Sequence, residues 1–292
     1  MPFNTAIRTA LKGPSVAWGF WLTLPSAAVA KTILHRSSAS PADRFSWVLV
    51  DAEHGLISDS HYYELNNAVG AERASPIIRV PWGEEWMIKR ALDAGAHGIM
   101  TPMCHSEADA ARIVSYAKYP PLGTRGYGPM FATHSFPEVM PGSDHDDNAN
   151  DGVMVVVQIE SRSGVENVEK IAKVDGIDVL FIGECDEMTL SLFEMEDLLT
   201  LYQGPFDLAK QMGVQRGGPE HEAAILRTLA AANAAGKKAA IFCTNGEDAR
   251  VRAEQGFHMI SVNTDVGVIG DGMQKELATA KGTAAAGKRE GY

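Results

Sequence analysis

The chain has 292 residues, 45% of them hydrophobic, which is enough for a sizeable core and too many for a globally disordered chain. Its 37 acids against 26 bases give a net charge of −11, with no basic stripe, which argues against a nucleic-acid partner; no apolar run reaches the length of a bilayer span, so no membrane partner is expected. The three cysteines, Cys104, Cys185 and Cys243, lie too far apart in the chain to suggest a disulfide framework or a CxxC metal pair, and they point to a reducing, cytoplasmic setting.

Along the chain, eight short apolar runs rich in β-formers follow one another: Val16–Leu24, Trp47–Asp51, Pro76–Val80, Gly98–Met103, Val153–Ile159, Asp178–Ile182, Ala239–Cys243 and Met259–Val262. Amphipathic stretches separate most of them, among them Glu107–Tyr116, Gly164–Ala172, Glu220–Ala235 and Glu247–Gln255. Strands that are apolar on both faces and alternate with helices predict a parallel sheet covered on both sides. Eight such units in 292 residues predict one α/β domain folded as a (β/α)8 TIM barrel, with an open doubly wound sheet as the alternative. Two stretches break the rhythm. Tyr119–Gly152 is rich in Pro, Gly, Asp and Asn and predicts a long loop between strands four and five, of a kind that is usually functional. The second is the acidic segment Glu184–Gly204. The tail Lys281–Tyr292 is small and polar and is expected to fray.

Barrel enzymes carry their chemistry where strands end at the C-terminal edge. Strand two ends in Asp51-Ala52-Glu53-His54-Gly55, strand three at Arg79, strand five in Gln158-Ile159-Glu160-Ser161, and strand six in Gly183 with Asp186 soon after. Carboxylates on neighbouring strands, with few nitrogens or thiolates, suit a hard, oxygen-preferring cation. An arginine one strand away suits a carboxylate or a developing enolate, and a histidine beside an aspartate suits proton transfer. Each residue taken alone has a plainer reading: Glu160 as a loop salt bridge, Arg79 as a structural pair, His54 as a helix cap. Their convergence on one edge favours the functional reading. His97, His105, His134 and His258 show no partner pattern and read as surface or packing residues.

The segments VLVDAEHG (48–55), PIIRVPW (76–82), ALDAGAHGIMTPM (91–103), YPPLGTRGYG (119–128) and VVVQIES (155–161) resemble the HpcH/HpaI aldolase family, the class II pyruvate aldolases, in order from about Trp18 to Val268. The resemblance implies a lyase on a phosphoenolpyruvate/pyruvate-type barrel that binds Mg2+, Mn2+ or a similar ion through a Glu and an Asp. Its substrates would be a 2-oxo acid and an aldehyde, and its assembly a homo-oligomer, often a hexamer. By motif position Glu160 matches the metal Glu, Arg79 the enolate-stabilising Arg, and His54 with Asp51 the catalytic base pair. Gln158 and Trp21 would line the substrate pocket. No lysine stands in a comparable motif, which disfavours a Schiff-base aldolase.

The second metal ligand of the family lies in a motif of the form I-G-P-x-D-L, and here that motif is split. Ile182-Gly183 is separated from Pro205-Phe206-Asp207-Leu208 by the 21 residues Glu184–Gly204, which hold six acids and no base. Asp207 keeps the flanks of the motif, Pro205, Phe206 and Leu208, and is the expected ligand together with Glu160; Asp186 keeps the offset from strand six and is the alternative. The segment reads as an insertion in a βα loop or as a retained intron. The leading function is a divalent-metal-dependent aldolase or lyase acting on a 4-hydroxy-2-oxo acid. The alternatives are an oxaloacetate-decarboxylating enzyme of the same family, an inactive member whose metal site the insertion breaks, and a CoA-ester lyase on a related barrel.

Overall fold

The computed structural model describes residues 3–38, 44–136, 139, 143–183 and 206–283. Asp186, Pro205 and the insertion fall outside the described residues, as do residues 284–292 of the expected tail and the side chains of Phe206 and Asp207. The strands are β1 (Ala17–Leu22), β2 (Trp47–Asp51), β3 (Ser75–Arg79), β4 (Gly98–Thr101), β5 (Met154–Gln158), β6 (Val179–Ile182), β7 (Lys238–Phe242) and β8 (Met259–Thr264). All neighbours run parallel, and β1 pairs with both β2 and β8, so the sheet closes into an eight-stranded barrel as the apolar runs predict.

Alternation within each strand sorts the side chains. Trp47 and Leu49 on β2, Ile77 on β3, Met100 on β4, Val156 on β5 and Phe181 on β6 join the cluster inside the barrel. Val48, Val50, Ile78, Ile99, Val157 and Leu180 face outward and pack with Leu34, Leu65, Ile88, Ile113 and Ile225 of the surrounding helices. Those helices are α2 (Ala27–Ser37), α3 (Asp59–Ala71), α4 (Glu85–Asp93), α5 (Glu107–Ala117) and α10 (Pro219–Ala234). Trp47 fills the barrel where Gly19 makes room for it: a Cβ at Gly19 would stand 2.2 Å from the indole. Its Nε1 donates to the Ala17 carbonyl at 2.9 Å. Helix α1 (Ala6–Lys12) contributes Ile7 and Leu11 to the same inner cluster and is pinned by the Ile7 N–H on Ser75 Oγ at 3.0 Å.

The stretch expected as one long loop is more ordered than that expectation. It contains a 3-10 turn at Ala132–Ser135 and α6 (Ser143–Gly152). Ser135 and Phe136 within it lie at the N-terminal edge, away from the strand ends that carry the candidate residues. His97, at the entrance to β4, bonds the Ser135 carbonyl through Nε2 at 3.0 Å and stacks on Phe136 at 4.0 Å between ring centres. The stretch expected as one helix from Gly164 is two short ones, α7 (Arg162–Glu166) and α8 (Val168–Ala172), meeting at Asn167. After β6 come α9 (Phe206–Met212), α10, α11 (Gly246–Glu254) and α12 (Asp265–Lys281). Among the described residues, no helix is long and apolar enough to cross a membrane.

Candidate active site

Asp51 and Arg79 are register partners across β2 and β3, so their inward side chains meet inside the barrel. Arg79 donates to Asp51 through Nε at 2.8 Å and Nη2 at 2.6 Å, a bidentate pair buried at both ends. Asp51 also accepts from Trp21 Nε1 at 3.0 Å and from the backbone N–H groups of Glu53 and His54 at 3.0 and 3.3 Å. Burial alone would raise the Asp51 carboxyl; the charge and hydrogen bonds of Arg79, with those of Trp21 and the His54 backbone, hold it below the usual carboxylate range. Burial likewise disfavours the charged form of Arg79, and Asp51, Glu53 and Glu160 more than offset it, so its pKa is raised. The guanidinium carbon stands 4.8 Å from the centre of the Trp21 ring.

The third guanidinium nitrogen, Nη1, is placed differently. It faces Glu53 Oε2 at 3.0 Å as an ion pair, without hydrogen-bond geometry. The Asp51–His54 base pair expected from the sequence is not a direct side-chain contact in this arrangement. Asp51 is committed to Arg79 because the strand register sets them side by side. His54 lies three residues further along the turn, and only its backbone reaches Asp51. Its ring is 43% exposed, and Nε2 stands 3.7 Å from Glu53 Oε1. Glu53 thus lies between the arginine and the histidine. The motif AEHG displays it plainly, but alternation alone does not assign it a partner. Gly55 ends this turn where a side chain has no room: a Cβ would come within 2.4 Å of the Asp51 carbonyl oxygen.

Across the barrel mouth, Glu160 is buried beyond the end of β5. Its Oε1 accepts from the Met103 N–H at 2.6 Å and its Oε2 from Gln158 Nε2 at 3.1 Å. The Gln158 side-chain carbonyl is buried and has no hydrogen-bond partner among the described residues. Gly183, at the end of β6, closes this corner: a Cβ there would stand 2.3 Å from Gln158 Nε2 and 2.5 Å from Glu160 Oε2, so only glycine keeps these side chains in place. Trp21, Asp51, Arg79, Gln158, Glu160 and Gly183 therefore occupy one end of the barrel, as expected. Asp207 falls in the first turn of α9. Of the histidines read as packing residues, His105 bonds Ser161 Oγ through Nδ1 at 2.7 Å, and His97 is buried.

Glu160 offers hard carboxylate oxygens beside a buried amide carbonyl, a donor set that fits a cation such as Mg2+ or Mn2+. Among the described residues no three potential metal-ligating side chains gather, so the fit depends on a further ligand from Asp207 or Asp186.

Comparison with known proteins gives the family. The model of the HpcH/HpaI aldolase/citrate lyase family matches residues 18–271. A hydroxypyruvate/pyruvate aldolase of Agrobacterium fabrum is 33% identical over 98% of this chain and 97% of its own length. A 4-hydroxy-2-oxo-heptane-1,7-dioate aldolase of Salmonella dublin is 30% identical over 93% of this chain and 92% of its own. A crystal structure of an HpcH/HpaI aldolase/citrate lyase family protein from Burkholderia cenocepacia superposes with a TM-score of 0.78 at 30% identity, covering 94% of this chain and 98% of that one. The chain belongs to the HpcH/HpaI aldolase/citrate lyase family and is a carbon–carbon lyase of that type.

Proposed function

We propose that this lyase is a divalent-metal-dependent aldolase that cleaves or forms a carbon–carbon bond of a 4-hydroxy-2-oxo acid through a pyruvate enolate, with an aldehyde as the second substrate. The observation that carries the reading is Arg79, a buried guanidinium with two donors locked on Asp51 and a third nitrogen that, among the described residues, forms an ion pair without hydrogen-bond geometry. Such a group can donate Nη1–H to an enolate or carboxylate oxygen without first breaking its own anchor. Glu160, with Asp207 or alternatively Asp186, would hold the cation, and Mg2+ or Mn2+ bound there supplies Lewis-acid polarisation of a 2-oxo group.

The remaining steps belong to residues of the chain. Asp51 and Trp21 fix the plane of the guanidinium. Gln158 offers its unpartnered side-chain oxygen to a donor on the substrate. His54, at the mouth beside Glu53, moves the proton to or from the aldehyde-derived hydroxyl. Gly183, with Pro205 and Phe206 by motif position, borders the substrate. A homo-oligomer is part of the same reading. On α12, Val268 and Ile269 are exposed at an apolar hollow lined also by Phe20, Val29, Ile33 and Phe45, and Met273 and Leu277 further along the helix are exposed too, which is the composition of a subunit contact. A cytoplasmic location suits Cys104 and Cys243, both buried free thiols.

The test is pyruvate release from 4-hydroxy-2-oxo acids by the full chain after chelation and again after adding Mn2+ or Mg2+, with oxaloacetate run in parallel. Metal-restored cleavage is expected. Decarboxylation of oxaloacetate without aldol cleavage would favour the alternative activity. Inactivity of the full chain, with activity in a variant lacking residues 184–204, would show that the insertion breaks the site.

A further inference from the structure

We propose that Met103 positions Glu160 through its backbone, by means of a left-handed turn at the end of β4. The inference rests on the reading of Glu160 as a metal ligand.

In an extended strand successive N–H groups point to opposite neighbours. Here two in a row point to β5: the Met103 N–H reaches Glu160 Oε1 at 2.6 Å, and the Cys104 N–H reaches the Gln158 carbonyl at 3.1 Å. The torsions between those two N–H groups are the φ and ψ of Met103, so the conformation of residue 103 sets the directions of both, and turning both towards β5 calls for a departure from the extended region. It does so with φ of +54°, one of two positive values outside glycine among the described residues. That conformation is disfavoured for any side chain with a Cβ, and such strain concentrates at functional sites. The Gln158 amide then donates to Glu160 Oε2 at 3.1 Å, so one turn and one neighbouring side chain fix both carboxylate oxygens. The Met103 thioether takes no part in either bond. The position therefore acts through its backbone torsion, and the residues that matter there are those that change the stability of the left-handed state.

The experiment titrates Mn2+ by electron paramagnetic resonance into four full-length proteins: the parent, Glu160→Ala, Met103→Val and Met103→Gly. A β-branched residue penalises the left-handed turn and glycine favours it. Met103→Val should weaken Mn2+ binding at least fivefold and Met103→Gly should not weaken it, while Glu160→Ala loses binding. Parent affinity in Met103→Val alongside lost binding in Glu160→Ala would overturn the positioning role alone. Equal weakening by glycine and valine would also overturn it, because the side chain would then be what matters. Glycine at this position removes strain, so that arm stays informative if the valine variant fails to fold. Parent-like binding in Glu160→Ala, or no binding in the parent, would remove the metal reading and this inference with it.

Discussion

At the N-terminal end of the barrel, Trp47, Met259 and Met154 meet Ile7 and Leu11 of α1 in an apolar plug; at the C-terminal end the inward positions of the same strands hold Asp51, Arg79 and Gln158, with Glu160 just beyond. Both sets of side chains are buried, and they are held by different means. The plug is held by dispersion and surface burial, which have no preferred direction. The charged end is held by geometry: the Asp51–Arg79 fork, the Trp21 indole and paired N–H donors, each of which loses its effect when displaced by an ångström. Damage at the charged end should therefore remove activity before stability, and damage to the plug should do the reverse.

The largest separation is expected for Glu160→Ala, with kcat/KM for aldol cleavage falling roughly a thousandfold or more, an energy of about 4 kcal/mol at the transition state. Thermal melting of the metal-free protein should move little by comparison. A melting loss that accounts for the whole activity loss would erase the distinction between the two ends. Arg79→Lys comes next. An ammonium cannot span both Asp51 oxygens and still present a third donor, so turnover and pyruvate proton exchange, followed by deuterium incorporation, should fall together by about a hundredfold. Exchange at the parent rate would place Arg79 outside the enolate site.

At the other end, Trp47→Ala should cost about 3–5 kcal/mol of stability by emptying the plug, measured by denaturant unfolding. The protein that remains folded should turn over within about twofold of the parent, since the vacated volume lies below the catalytic layer. The smallest effect is a pH dependence. Burial pushes the His97 imidazole down to about 4, with Ser135 only partly countering. Its folded pKa thus lies below its ordinary 6.5, and the unfolded chain takes up the proton first. Its contribution is full above pH 6.5 and is lost as pH falls through the window to about 4, by at most about 3 kcal/mol. His97→Gln should flatten the stability profile in that window; an unchanged slope would assign the acid sensitivity to other groups.

Much of this division is visible in the sequence. The eight strands stand out because each is a short, mainly apolar run, most of them carrying β-branched or aromatic residues. The charged end is legible because Asp51, Arg79 and Gln158 each terminate such a run. The pairing between them is less so: the bond from Arg79 to Asp51 follows from register across two strands, and the local order D-A-E-H suggested His54 instead. Helix α6 escaped because Ser143–Gly152, SDHDDNANDG, carries no apolar stripe and is composed of residues that favour turns. The turn at Met103 leaves no trace at all, since the usual signal for a positive φ is a glycine, and none stands there.

Gly19 and Trp47 have a consequence of another kind. They form a socket and its plug on adjacent strands, and neither can change first: enlarging residue 19 drives an atom into the indole, and shrinking residue 47 leaves a void. A survey that varied one position at a time would score both as costly to stability. A library varying them together should find a ridge of permitted combinations, small with large and middling with middling, at roughly constant summed volume. The seam between β1 and β2 can therefore drift only by correlated steps, and a lineage that exchanges this tryptophan for a smaller residue should show a larger one opposite.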